Sequence, residues 1–89
     1  MREITTEQLS CMEVINLCDG GKLGFASALS ICPEDGRVTA ILIPARTKLL
    51  SWGKEPRYRI PWCRVQCVGE DTVLIKMTAA ELADCLEKK

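Results

Sequence analysis

Apolar positions along the chain recur at short range, the pattern of strands rather than of long helices. Glu13-Val14-Ile15-Asn16-Leu17 predicts a first strand, closed by the turn-forming Asp19-Gly20-Gly21. Leu23 to Cys32 predicts a second, with Leu23, Phe25, Leu29 and Ile31 at period two. Pro33-Glu34-Asp35-Gly36 predicts a tight connection, Asp-Gly being a strong hairpin signal. Arg37 to Ile43 then returns antiparallel and ends at Pro44. Residues 45–57 read as a long loop rich in Lys, Arg, Gly and Pro. Tyr58 to Trp62 predicts a short strand with a corner at Pro61, and Trp62 is expected to plug the barrel. Val65 to Val68, the turn Gly69-Glu70-Asp71 and Thr72 to Lys76 predict a last hairpin. Thr78-Ala79-Ala80-Glu81 has the form of a capping box and opens a helix with Ala79, Leu82, Ala83 and Leu86 on one face. What precedes Glu13 reads as a short arm. Five or six short strands with frequent turns predict a mainly β fold, a small barrel followed by a short C-terminal α-helix.

The 89 residues suit a single domain over 1–89, with the barrel at about 9–77 and the helix at about 78–88. Folding a chain of this size hides roughly 60–65% of its unfolded surface, so the core is modest. Twelve Lys/Arg balance twelve Asp/Glu, so there is no global polycation. The chain has no histidine, which removes the commonest general base and mixed Cys/His zinc sites. No phosphate loop, HExxH or dinucleotide fingerprint occurs, and the neighbouring carboxylates of Glu70-Asp71 splay apart in a tight turn. The expectation is a non-enzyme with no catalytic residues and no cofactor.

Met1 to Glu7 has no apolar core of a secretory signal, and the longest uncharged run, Leu23 to Pro33, is far too short to span a membrane. A cytoplasmic location with reduced thiols is expected. The six cysteines are then small apolar fillers. A cysteine-only metal site through Cys18, Cys32, Cys63 and Cys67 is a further alternative, although no CxxC occurs.

Two surfaces invite partners. The hairpin 23–43 offers Phe25, Leu29 and Ile31 on one face and Ala26, Ala28 and Cys32 on the other, so something covers its outer side. Its own helix, a second copy joined through hairpin 23–43 or helix 79–88, or another protein would serve. The second surface is the loop, where Arg46, Lys48, Lys54, Arg57 and Arg59 face Glu55 alone, interleaved with Leu49, Leu50, Trp52 and Tyr58. An aromatic anchor in a charged rim suits a protein partner of unknown identity, and Arg46, Lys48, Leu50, Trp52, Lys54 and Arg57 are its candidate contacts. The same basic-aromatic mixture over 46–59 is compatible with single-stranded nucleic acid, the alternative reading.

Glu13-Val14-Ile15-Asn16, Asp19-Gly20-Gly21-Lys22-Leu23-Gly24, Gly36-Arg37-Val38, Ile43-Pro44, Ile60-Pro61-Trp62 and Gly69-Glu70-Asp71-Thr72-Val73-Leu74 occur in that order. This ordered set, over about residues 9–77, resembles the PRC-barrel family, and within it the small YlmC/YmxH-type sporulation proteins. The resemblance implies a six-stranded barrel acting as a non-catalytic docking module in endospore formation. The chain departs from that family in its uncharged second strand and in Cys11-Met12, where relatives commonly carry Gly-Lys.

Overall fold

The structure is a computed structural model, and it describes residues 3–45 and 56–87. It is mainly β. The order is α1 (Thr6–Ser10), β1 (Glu13–Asn16), β2 (Lys22–Phe25), β3 (Ala28–Ile31), β4 (Val38–Pro44), β5 (Arg57–Pro61), a 3-10 turn (Trp62–Arg64), β6 (Val65–Val68), β7 (Thr72–Ile75), α2 (Ala79–Asp84) and β8 (Leu86–Glu87). One four-stranded sheet runs β2-β1-β7-β6 and the other β3-β4-β5-β8. β1 and β7 are parallel, from Glu13 beside Thr72 to Asn16 beside Ile75, and the remaining pairs are antiparallel.

Among the described residues eight strands stand where six were expected, for two local reasons. The predicted strand Leu23–Cys32 is divided at Ala26–Ser27, β2 pairing with β1 and β3 with β4. Gly24, at φ +109, lies in a region that side chains avoid; a Cβ there would come no nearer than 3.8 Å to Ile43, so backbone conformation, not space, calls for glycine. Ala26 is then buried, and the Ser27 N–H donates to the Leu42 carbonyl at 2.8 Å. The break ends the period-two alternation, leaving Leu23 and Leu29 packed on the core while Phe25 and Ile31 are exposed.

The second reason is at the other end. The capping box forms as expected, Thr78 Oγ1 accepting from the Glu81 N–H and Glu81 Oε1 accepting from the Thr78 N–H. The helix, however, stops before Cys85, and Leu86–Glu87 pairs with β5 as β8. Of the expected stripe only Leu82 is buried; Ala79 and Ala83 are exposed and Leu86 is half-buried. Trp62 does not plug the interior: it sits in the 3-10 turn, 38% exposed.

The N-terminal arm contains a helix. Thr5 Oγ1 accepts from the Gln8 N–H, and the Gln8 side chain accepts from the Thr5 N–H, which starts α1 and drops Leu9 into the core.

The core draws on both sheets. Val14, Ile41, Ile43, Ile60, Val73 and Ile75 are fully buried, with Leu9, Met12, Met77 and Leu82 around them. Asn16 is fully buried as well, and its Nδ2 donates to the Met77 carbonyl at 2.8 Å while Oδ1 accepts from the Met77 N–H at 3.1 Å and the Cys18 N–H at 3.2 Å. It ties the end of β1 to the chain leaving β7 and leaves none of its own buried polar atoms unpaired.

Candidate functional site

The basic segment springs from the hairpin between β4 and β5. Pro44 faces Arg57 at the end of the ladder, and the Ala45 N–H donates to the Pro56 carbonyl at 3.0 Å, so the two ends are held side by side. Of the candidate contacts, Arg46, Lys48, Leu50, Trp52 and Lys54 lie outside the described residues, as do Leu49 and Glu55. Arg57 is described, in β5.

Period two along β5 sends Tyr58 and Ile60 towards the core and Arg57 and Arg59 to the outer face. Arg57 Nε lies 3.4 Å from Glu87 Oε1 of β8, with both side chains about one-third exposed. Arg59 donates through Nη2 to Ser30 Oγ at 3.0 Å, reaching from β5 across β4 to β3. Under that span Leu42 and Ala40 are buried, although they stand on the side of β4 opposite Ile41 and Ile43. The aliphatic stem of an arginine covers apolar surface in this way while its head stays polar. On the outer face of hairpin 23–43 Arg59 thus reaches Ser30 from within the same sheet, whereas Leu82 of α2 enters the main core.

The segment after β7 lies along β5. The Arg59 N–H donates to the Cys85 carbonyl at 2.9 Å, and Leu86 faces Tyr58. Tyr58, Leu86, Leu23 and Lys22 line a cavity of about 400 Å³ between β2 and β5. At the start of α2, Arg64 pairs with Glu81. The Glu81 carboxyl is held below its ordinary range, first by the Thr78 backbone N–H, with burial opposing and Arg64 adding to the lowering. Burial pushes the Cys85 thiol up.

The four thiols of the metal alternative are not assembled. Among the described residues no three of Cys, Asp or Glu are grouped to hold a metal ion. Cys18 follows β1, Cys32 follows β3 of the other sheet, Cys63 is in the 3-10 turn and Cys67 is on β6, and all six cysteines are free.

Two features were not anticipated from the sequence. Glu3, Glu7, Glu70 and Asp71 line a cavity of about 520 Å³ where α1 meets the β6–β7 turn. An apolar groove of about 260 Å³ runs between Leu9 of α1 and Leu29 and Ile31 of β3. Both depend on α1, whose signal was the Thr5/Gln8 capping pair.

No family model matches the chain. Among curated proteins it is 30% identical over 76 residues to the probable sporulation protein YlmC of Bacillus subtilis strain 168, covering 84% of this chain and 94% of that protein. It is 34% identical over 68 residues to an uncharacterised protein of Clostridium acetobutylicum, covering 75% and 77% of the two chains. It is 31% identical over 71 residues to the uncharacterised protein YmxH of Bacillus subtilis, covering 76% and 82%. None of these names states an enzymatic activity. Among the described residues no helix is long and apolar enough to cross a membrane. With the ordered motifs over residues 9–77 and this identity over most of the relatives' lengths, the chain belongs to the YlmC/YmxH family.

Proposed function

We propose that the chain is a non-catalytic protein-docking module of PRC-barrel type, working as one domain over residues 1–89 in the cytoplasm during endospore formation. The sporulation context is drawn from the name of the YlmC relative. The barrel reading is supported by the ladders, which can be followed from β1 to β2, through Ala26–Ser27 to β3, to β4 and β5, through the 3-10 turn to β6, to β7 and back to β1. Counting β2 and β3 as one bent strand gives six around that path.

The observation that carries the docking reading is the base of the β4–β5 hairpin. Pro44 beside Arg57 and the Ala45–Pro56 hydrogen bond anchor a segment holding Arg46, Lys48, Leu50, Trp52 and Lys54, and Arg57 stands at its foot. A protein partner with acidic groups around an apolar pocket fits that composition. Nucleic acid fits less well, because the chain's twelve Lys/Arg are balanced by twelve Asp/Glu. Cross-linked capture from sporulating cells, with and without nuclease, tests the reading.

A further inference from the structure

We infer that the outer edge of β5 is a docking groove for an extended segment of a protein partner, an apolar residue followed by a carboxylate, and that Cys85-Leu86-Glu87 occupies this groove in cis. The inference rests on the docking reading and names the partner's chemistry.

The two sides of β5 are unequal. β4 pairs with it over five residues, from Ala40 beside Pro61 to Pro44 beside Arg57. β8 pairs over two, Tyr58 beside Leu86 and Arg57 beside Glu87. So short a ladder, half-exposed, belongs to the part of a fold that opens first. Opening need not disturb the rest, since α2 keeps its own anchors in buried Leu82 and in the Thr78–Glu81 box.

What β8 leaves behind defines what binds there. The Arg59 N–H, now given to the Cys85 carbonyl at 2.9 Å, would be free to join an added strand. Tyr58 and the cavity beside it would lose Leu86, and Arg57 would lose the Glu87 carboxylate 3.4 Å away. Arg57, without Glu87, would leave a cation at this edge that complements an acidic strand, while Arg59 reaches the other way, over β4 to Ser30. The segment in place already has that composition.

The test uses the full chain carrying Leu86→Pro and Glu87→Arg, and a labelled, end-capped peptide Leu-Ala-Asp-Ser-Leu-Glu, the 82–87 sequence with serine for cysteine. Fluorescence anisotropy should show the variant binding the peptide about tenfold or more tighter than wild type, because the tethered competitor is gone. A peptide with Lys for its last Glu should lose that gain, and so should adding Arg57→Glu. Equal affinity for wild type and variant, or no binding to a variant that still melts cooperatively, overturns the inference. Hydrogen exchange on wild type serves if the variant does not fold: the Arg59 amide should exchange faster than the amides of β4, and exchange only by global unfolding overturns the inference. Trp52→Ala/Lys54→Glu should leave peptide binding unchanged, so this edge and the basic segment fail or hold separately.

Discussion

The Arg59 guanidinium donates to the Ser30 hydroxyl at 3.0 Å, and β4 lies between the strands that carry the two residues. Leu42, beside Arg59 in the ladder, and Ala40, beside Pro61, are buried on that same face of β4, turned away from the core. Arg59→Ala should cost about 1–2 kcal/mol in urea unfolding, through lost packing and a lost charge-assisted hydrogen bond. Arg59→Met, which keeps the stem, should cost less than about 1 kcal/mol, as should Ser30→Ala. Equal losses for Ala and Met at position 59 would show that the stem covers nothing.

Asn16 is the polar centre of the core. Asn16→Ala strands the Met77 N–H and carbonyl and should cost about 2–4 kcal/mol. Asn16→Asp places a carboxylate against the Met77 carbonyl, where the protonated acid alone can replace the lost donor. Burial and that carbonyl raise the pKa of the folded acid above its unfolded value of about 3.9, outweighing the Met77 and Cys18 N–H groups that favour the carboxylate. The variant's stability relative to wild type should therefore fall as pH rises through that window. A pH-independent deficit in urea unfolding would contradict the arrangement.

Glu81 responds in the opposite sense. Its carboxyl is held below the ordinary value of 4.5 by the Thr78 N–H first and Arg64 second. The stabilisation is present above the unfolded pKa and lost as pH falls through the folded one. Carboxyl-detected NMR titration should find Glu81 below the ordinary glutamate value. Thr78→Ala, which keeps the backbone N–H, should leave Glu81 lowered while costing about 1 kcal/mol through the lost cap, and Arg64→Met should move it up.

The thiols should separate by exposure. Cys11, Cys18, Cys63 and Cys67 are exposed and should be alkylated first in folded protein, followed by Cys32 and last by Cys85, whose thiol is pushed up by burial and secondarily by Asp84. Mass spectrometry of a brief iodoacetamide pulse reads the order. Protection of Cys18, Cys32, Cys63 and Cys67 as a set, relieved by chelator, would instead restore the metal alternative.

Local chemistry made much of the fold legible. The strand at 13–16, the Asp-Gly connection after Cys32, the last hairpin and the Thr78 cap were carried by turn residues and a capping pair that act within a few positions. Long-range events were not legible. The division of Leu23–Cys32 goes with the positive φ of Gly24 and with Ser27 bonding to Leu42, a partner on another strand. The helix expected to 88 stops early because its last residues find β5. Trp62 reads as core from composition alone, yet the chain turns there and leaves it partly in solvent. Of the basic segment, the sequence shows composition and the fold shows where its two ends are held. The masking of Arg57 by Glu87 required the pairing of β5 with β8.

Protein docking through the basic segment is tested most directly by cross-linked capture from sporulating cells, with half of each sample treated with nuclease. Wild type is compared with Trp52→Ala/Lys54→Glu, after both are shown to melt alike. The account predicts a defined set of proteins that survives nuclease and falls about tenfold or more in the variant, as loss of an aromatic anchor should produce. Recovery that collapses with nuclease, or that is the same for wild type and variant, would contradict it.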